Sequence, residues 1–127
     1  MDEVNIPITI FSKDLGGLEV VVKYLKENIR MSYTEIAKEL NRSETTIRTS
    51  YKKAKEKQPI LLEIKDTSIS LPISILKNRK LTILESVILH LKEKEKKYSK
   101  IAKLLDRDQR NIWTIYSRAK KKLNNEK

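Results

Sequence analysis

The chain is written twice. The segment from Ile6 to Lys55, IPITIF…LEVVVKYLKE…YTEIAKELNRSETTIRTSYKKAK, returns from Leu71 to Lys120 as LPISIL…LESVILHLKE…YSKIAKLLDRDQRNIWTIYSRAK. The offset is 65 residues at both ends of the match and slips to 66 in the middle, where Leu18 faces Leu84 and Leu25 faces Leu91. That slip predicts length variation in two loops. A repeat of this length is one supersecondary unit used twice. Each copy is about fifty residues, a size at which a lone core is marginal. The copies are therefore expected to pack on each other or to share the linker between them.

Within the first copy, Leu18, Val21, Val22, Leu25 and Ile29 follow the spacing of an amphipathic helix. Gly16 stands at its start with Glu19 three residues on; the counterparts Thr82 and Glu85 make a fuller capping box. Tyr33, Ile36, Ala37 and Leu40 mark a second helix, opened by Ser32 and Glu35. Asn41-Arg42 breaks the pattern, and Ser43 then caps a third helix through Ile47, Tyr51 and Ala54. The second copy repeats this with Leu84, Val87, Ile88 and Leu91, then Tyr98, Ile101, Ala102 and Leu105. Asp106-Arg107 makes its turn, Asp108 caps, and Ile112, Tyr116, Ala119 and Leu123 line its third helix.

Before each helical trio lies an alternating apolar stretch: Val4, Ile6, Ile8, Ile10 and then Ile69, Leu71, Ile73, Ile75. Period two argues for extended chain with one buried face. Pro7 and Pro72, at equivalent places, confine these pieces to edge strands or apolar arms. The expected fold is mainly α: two tandem three-helix units, each preceded by a short extended or β segment. The expected division is residues 1–57 for the first unit, 58–70 for an apolar, β-prone linker, 71–123 for the second unit and 124–127 for a frayed tail.

Charge narrows the function. The net charge is +11 and the pI about 9.8, the footprint of a polyanion binder. Residues 1–64 hold 11 Lys+Arg against 10 Asp+Glu, a net of +1, and residues 65–127 hold 17 against 7, a net of +10. The excess lies in the second copy. With no cysteine and a single histidine, His90, the chain has no material for a thiolate or histidine metal centre. There is no glycine-rich phosphate loop, and the scattered acids read as helix caps and i, i+4 partners. No enzyme, cofactor or metal is expected. No apolar run reaches membrane-spanning length, and the acidic start MDEVNIP does not look like a signal peptide. A cytoplasmic, nucleoid-associated protein is expected.

The spacing across the second and third helices is the informative motif. Ala37 and Ala102 are small enough for two helices to cross closely; Leu40 and Leu105 follow, then a turn, then a β-branched Ile47 or Ile112. This resembles the helix-turn-helix of DNA-binding proteins. More narrowly, IRTSYKKAK and IWTIYSRAK resemble the last helix of the fourth region of bacterial sigma factors. The turn departs from the usual glycine and aliphatic pair, with Asn41-Arg42 and Asp106-Arg107 in their place. The resemblance implies a third helix lying in the major groove. Its base-reading positions would be Glu44, Thr45, Arg48, Thr49 and Lys52 in the first copy, and Gln109, Arg110, Trp113, Thr114 and Ser117 in the second. Arg48 and Arg110 suit guanine, Gln109 suits adenine and Glu44 suits cytosine. Lys53, Lys55, Arg118, Lys120 and Lys121 would hold phosphates.

The function this implies is sequence-specific binding of double-stranded DNA by both units, in transcription regulation. The alternative is a protein-interaction module docking on a partner such as RNA polymerase through Trp113, the sole tryptophan. Monomer and homodimer stay open. Trp113 is expected to lie half on the core, His90 at the surface, and the Lys92–Lys97 run in solvent between helices.

Overall fold

The computed structural model describes residues 3–12, 14–64, 68–94 and 96–124. Each copy contributes one short strand, one 3-10 turn and three α-helices, in the same order. The first has β1 (Asn5–Pro7), a 3-10 turn (Ile8–Ile10), α1 (Gly17–Lys23), α2 (Tyr33–Leu40) and α3 (Glu44–Lys57). The second has β2 (Ser70–Pro72), a 3-10 turn (Ile73–Leu76), α4 (Ile83–Glu93), α5 (Tyr98–Leu105) and α6 (Gln109–Asn124). The molecule is thus mainly helical with one small sheet.

The sheet states how the copies are related. β1 and β2 pair antiparallel, Asn5 facing Pro72, Ile6 facing Leu71 and Pro7 facing Ser70. Leu71 is the repeat counterpart of Ile6, and exchanging the copies maps Asn5–Pro72 onto Ser70–Pro7. The flanking hydrogen bonds obey the same exchange: Ile8 N–H to Ile69 O at 3.0 Å and Ile73 N–H to Val4 O at 2.9 Å. A pseudo-two-fold axis therefore passes between Ile6 and Leu71. Both prolines fall where an edge tolerates them, as a two-stranded sheet has only edges.

The alternation predicted extended chain further than it goes. After Pro7 and Pro72 the backbone closes into 3-10 turns. Ile8, Ile10 and Ile73 are still buried, but Leu76 takes the buried place expected of Ile75, because side chains three apart eclipse in a 3-10 turn. Each arm then lies under the other copy: α2 packs on the second 3-10 turn and α5 on the first. Within a copy, the first helix packs on the third. One continuous core results, running from Ile6, Val21, Leu40 and Ile47 to Leu71, Val87, Leu105 and Ile112.

Helix starts follow the capping chemistry. Ser32 Oγ accepts from Glu35 N–H at 3.1 Å, while Glu35 Oε1 accepts from Ser32 N–H at 3.0 Å. Thr82 and Glu85 repeat this at 3.1 and 2.8 Å. Gly16 has no side chain to offer, so only Glu19 reaches back, at 2.9 Å to Gly16 N–H. The two capping glutamates have a second task. Glu19 takes Lys57 at 2.9 Å and Glu85 takes Lys122 at 2.7 Å, which ties the start of the first helix to the end of the third in both copies.

Several expectations need correction. The second length change does not fall in a loop. α1 continues as a π-helical turn, Tyr24–Asn28, in which Ile29 N–H bonds Tyr24 O at 3.2 Å. The wider i to i−5 turn absorbs the extra residue without ending the helix. It also rotates Ile29 off the core stripe, leaving it 39% exposed. Ala37, Tyr51 and Tyr116 are only half-buried against the core, whereas Ala102 is buried in it. His90 is half-buried rather than at the surface. The linker stretch 60–64 forms no strand; Leu62 is buried, while Ile60 and Leu61 are exposed. α4 runs on through Lys92 and Glu93, shortening the expected charge run, whose Glu95 lies outside the described residues. Asn124 closes α6, and the rest of the expected tail lies outside the described residues too. Among the described residues no helix is long and apolar enough to cross a membrane.

The axis region makes a sharp prediction. α1 and α4 meet where Gly17 lies on its own counterpart, Ile83. A Cβ at Gly17 would stand 3.1 Å from Ile83 Cβ and 3.2 Å from the Leu84 backbone nitrogen. Gly17→Val should cost about 1–3 kcal/mol in chemical denaturation by wedging the copies apart. Gly16→Ser, one residue away, should raise stability by a few tenths of a kcal/mol, because it supplies the missing cap oxygen. Equal responses at the two positions would contradict this packing.

Candidate nucleic-acid interface

The third helix of each copy is aimed by the turn before it. α2 stops where Asn41 adopts a left-handed backbone, φ 54°, and Arg42 N–H reaches back to Ala37 O at 3.0 Å. α5 stops identically: Asp106 has φ 53° and Arg107 N–H bonds Ala102 O at 2.9 Å. This six-to-one bond is a Schellman stop, and Asn or Asp substitutes for glycine because a short polar side chain tolerates the left-handed region. Ser43 then caps α3, its Oγ accepting from Thr46 N–H at 3.2 Å. Asp108 precedes α6, and its carbonyl accepts from Ile112 N–H at 3.1 Å.

Behind the turns, an aromatic pair fixes the second helix to the third. Tyr33 and Tyr51 meet edge-to-face with ring centroids 6.0 Å apart and planes at 67°; Tyr98 and Tyr116 meet at 6.0 Å and 66°. A lysine from the first helix covers each pair, Lys26 at 4.5 Å from the Tyr33 ring and Lys92 at 4.1 Å from the Tyr98 ring. The sequence repeat therefore survives as a repeat of geometry down to side-chain contacts.

The outward face of α3 carries Thr45, Arg48, Thr49, Lys52 and Lys53, all exposed. Glu44 is partly covered. It accepts from Arg48 Nη2 at 2.7 Å and from Thr34 Oγ1 at 3.1 Å. The Arg48 hydrogen bond, more than the Thr34 one, holds its carboxyl below the usual carboxylate range. Arg48 also lies 4.4 Å over the Tyr33 ring. The arginine expected to grip guanine is thus engaged on its own helix, though so exposed an ion pair is weak and readily exchanged.

α6 presents a different face. Gln109, Arg110, Trp113 and Thr114 are exposed and Ser117 is half-buried. Trp113 stands at the place of Arg48 and is 55% exposed, not half on the core as expected. The α6 stripe is filled by Ile112, Ile115 and Ala119, so no room is left for an indole beneath them. Trp113 instead borders a surface groove with Tyr98, Gln109 and Arg110. Arg110, Arg118, Lys120 and Lys121 are exposed, and among the described residues none has a carboxylate within ion-pair distance.

Lys55, expected to hold phosphate, belongs to a network that sequence reasoning missed. Lys23 is fully buried. Its Nζ donates to Glu27 and, at 2.8 Å, to Ile60 O. Glu27 also accepts from Tyr51 Oη at 2.7 Å and from Lys55 Nζ at 3.1 Å, and Lys55 donates to Pro59 O at 3.1 Å. Burial by itself would raise the Glu27 carboxyl, but the hydrogen bonds from Lys23, Tyr51 and Lys55 outweigh it and leave it lowered. Tyr51 is pushed up to about 12, first by burial and then by the Glu27 carboxylate. The network straps the linker to α1 and α3. The counterpart of Lys23 is Leu89, so the second copy has no such network. The one available signal was that difference between lysine and leucine at matched positions.

Arg42 and Arg107 were also missed as ties between the copies. Arg42 Nη1 donates to Leu76 O at 2.8 Å and Nη2 to Leu81 O at 3.3 Å; Asn41 Nδ2 donates to Lys77 O at 3.1 Å. Arg107 Nη2 returns the contact to Ser12 O at 3.4 Å. The signal was present in the sequence, since both copies place arginine where an aliphatic residue is usual. Comparison with protein-family models, with curated proteins and with solved structures finds no match for this chain.

Two predictions follow from the strap. Glu27→Leu leaves Lys23 charged and buried without its carboxylate, and should cost about 3–5 kcal/mol in denaturant unfolding. Lys23→Leu, which copies the second unit, should cost much less because Glu27 keeps Tyr51 and Lys55. The raised Tyr51 pKa fixes a sign as well. A tyrosine raised above its ordinary value of 10.0 contributes stability that is complete below pH 10 and is lost as pH rises toward about 12. Thermal melts across that window should fall less steeply for Tyr51→Phe than for the parent.

Proposed function

We propose that this chain binds double-stranded DNA sequence-specifically, as a transcription regulator in the cytoplasm, through two helix-turn-helix units of the kind the sigma-factor resemblance implies. One observation carries the reading. The exposed length of α6 bears Arg110, Arg118, Lys120 and Lys121 with no carboxylate partner among the described residues. Uncompensated charge along one helix is the electrostatic requirement for phosphate contact. On α3, Arg48, Lys55 and Lys57 are paired with Glu44, Glu27 and Glu19, leaving Lys52 and Lys53 as its unpaired cations among the described residues, whereas on α6 Lys122 alone is paired, with Glu85. α6 is therefore the stronger phosphate binder of the two, with Arg110 and Gln109 reading bases.

The pseudo-two-fold axis adds a consequence. Two-fold proteins address half-sites of matching symmetry, one helical turn of about 34 Å apart. Here the scaffolds match while the reading residues differ, Arg48 against Trp113 and Glu44 against Gln109. The preferred site is a pair of half-sites in inverted orientation with unlike sequences. The exposure of Trp113 favours a second reading, in which the same surface docks on a partner protein such as RNA polymerase, since a tryptophan beside an arginine is a common interface anchor.

Duplex retention across a salt series decides between them. DNA affinity should fall with a log–log slope of about −0.9 per phosphate contact. Lys120→Ala with Lys121→Ala should weaken binding to all sequences and flatten that slope. Arg110→Ala should relax choice at one base pair by about 1–3 kcal/mol. Arg48→Ala should do less, because Arg48 must first leave Glu44 and Tyr33. No retention at about 50 mM salt would overturn the DNA reading and leave Trp113 as the docking residue.

A further inference from the structure

The cleft on the pseudo-two-fold axis differs in kind from the outward helix faces. It has a volume of about 450 Å³ and lies between the copies. Gly16, Gly17, Thr82 and Ile83 line it, together with Arg42 and Arg107. Among the described residues no acidic side chain lines it. The two arginines are repeat counterparts, so the axis brings one cation from each copy to the same space. The capping acids Glu19 and Glu85 are turned to their N–H groups and to Lys57 and Lys122, and Asp106 and Asp108, which flank Arg107, line the neighbouring groove with Ser99 and Gln109 instead of this cleft.

The two arginines are not equally occupied. Arg42 makes three hydrogen bonds to carbonyls, at 2.6, 2.8 and 3.3 Å, and a strut role accounts for it. Its charge is still unmatched: burial, and then the like charge of Arg79, lower its pKa, and among the described residues no carboxylate pairs with it. Arg107 is held more loosely, by Asn111 Oδ1 and Ser12 O, both at 3.4 Å. Its Nε is buried and has no partner. A strut role leaves that nitrogen unexplained, since a buried donor without a partner keeps its full desolvation penalty. A guanidinium with spare donors and weak tethers can turn to meet an anion that supplies two oxygens. The first turn of α4, at Thr82 and Ile83, adds the positive end of its dipole on the same side.

We propose that this cleft is an anion site that takes a phosphate group between the two copies, with Arg107 as its principal donor and Arg42 as fixed charge. The phosphate belongs either to a free small phosphate compound or to the backbone of a bound duplex. The site is independent of the outward faces of α3 and α6, so it stands whether or not those faces read DNA. Filling it bridges the copies and stiffens their relative placement.

The test uses the full chain with pyrophosphate as probe, followed by amide and arginine side-chain NMR. Saturable shifts should appear at Gly16, Gly17, Thr82 and Ile83 and at Arg107 Nε. Arg107→Gln should weaken the saturation by about tenfold, the loss expected for one charged donor, while Lys120→Ala with Lys121→Ala should leave it unchanged. Shifts that climb without saturation along α6, or that survive Arg107→Gln at full strength, would overturn the proposal. The map on the parent chain is decisive even if Arg107→Gln does not fold, since a cleft untouched by pyrophosphate refutes the site. The source is read by adding duplex to the loaded protein. Displacement from the cleft assigns the site to backbone phosphate, and simultaneous binding assigns it to a free phosphate compound.

Discussion

Everything in this molecule leans on the pairing of Ile6 with Leu71. A unit of about fifty residues cannot remove enough apolar surface from water to hold itself together with a wide margin. The chain solves this by folding the two units around one axis and crossing their arms. Each arm brings isoleucines and a leucine or phenylalanine under the opposite copy, and the backbone ladder at the axis satisfies the polar groups that such burial would otherwise strand. The core is continuous across the axis.

Once that interlock holds, the copies are free to diverge where they do not touch each other. Their shared parts are the capping glutamates with their last-turn lysines, the edge-to-face tyrosine pairs and the left-handed stops at Asn41 and Asp106. These set helix positions. Divergence is concentrated on the third helices and in the linker strap. The first copy buries Lys23 and ties the linker down through Glu27, Tyr51 and Lys55. The second replaces that lysine by Leu89, and among the described residues its Arg110, Arg118, Lys120 and Lys121 have no carboxylate partner. One scaffold thus carries two surfaces, one largely self-neutralised and one strongly cationic.

The sequence by itself determined the repeat, the helix order, the caps at Ser32, Ser43 and Thr82 and the uneven charge. All of these are local: a cap needs one side chain and the next three amides, and a helix stripe needs only its own spacing. Most exposed positions on the third helices, Trp113 and Ser117 apart, were legible for the same reason, because the apolar stripe of Ile47 and Ala54, or of Ile112 and Ala119, dictates which way the rest face. Tertiary structure decided what depends on distant partners. It made the repeat relation a two-fold, through a strand register that joins residues 65 apart. It turned the arms into 3-10 segments and absorbed the length difference as a π turn, not a loop. It buried Lys23, engaged Arg48 with Tyr33, exposed Trp113 and brought Arg42 and Arg107 to one cleft. A charged side chain reveals its burial only through the groups that meet it, and those groups lie 37 residues away for Lys23 and 95 for Arg107.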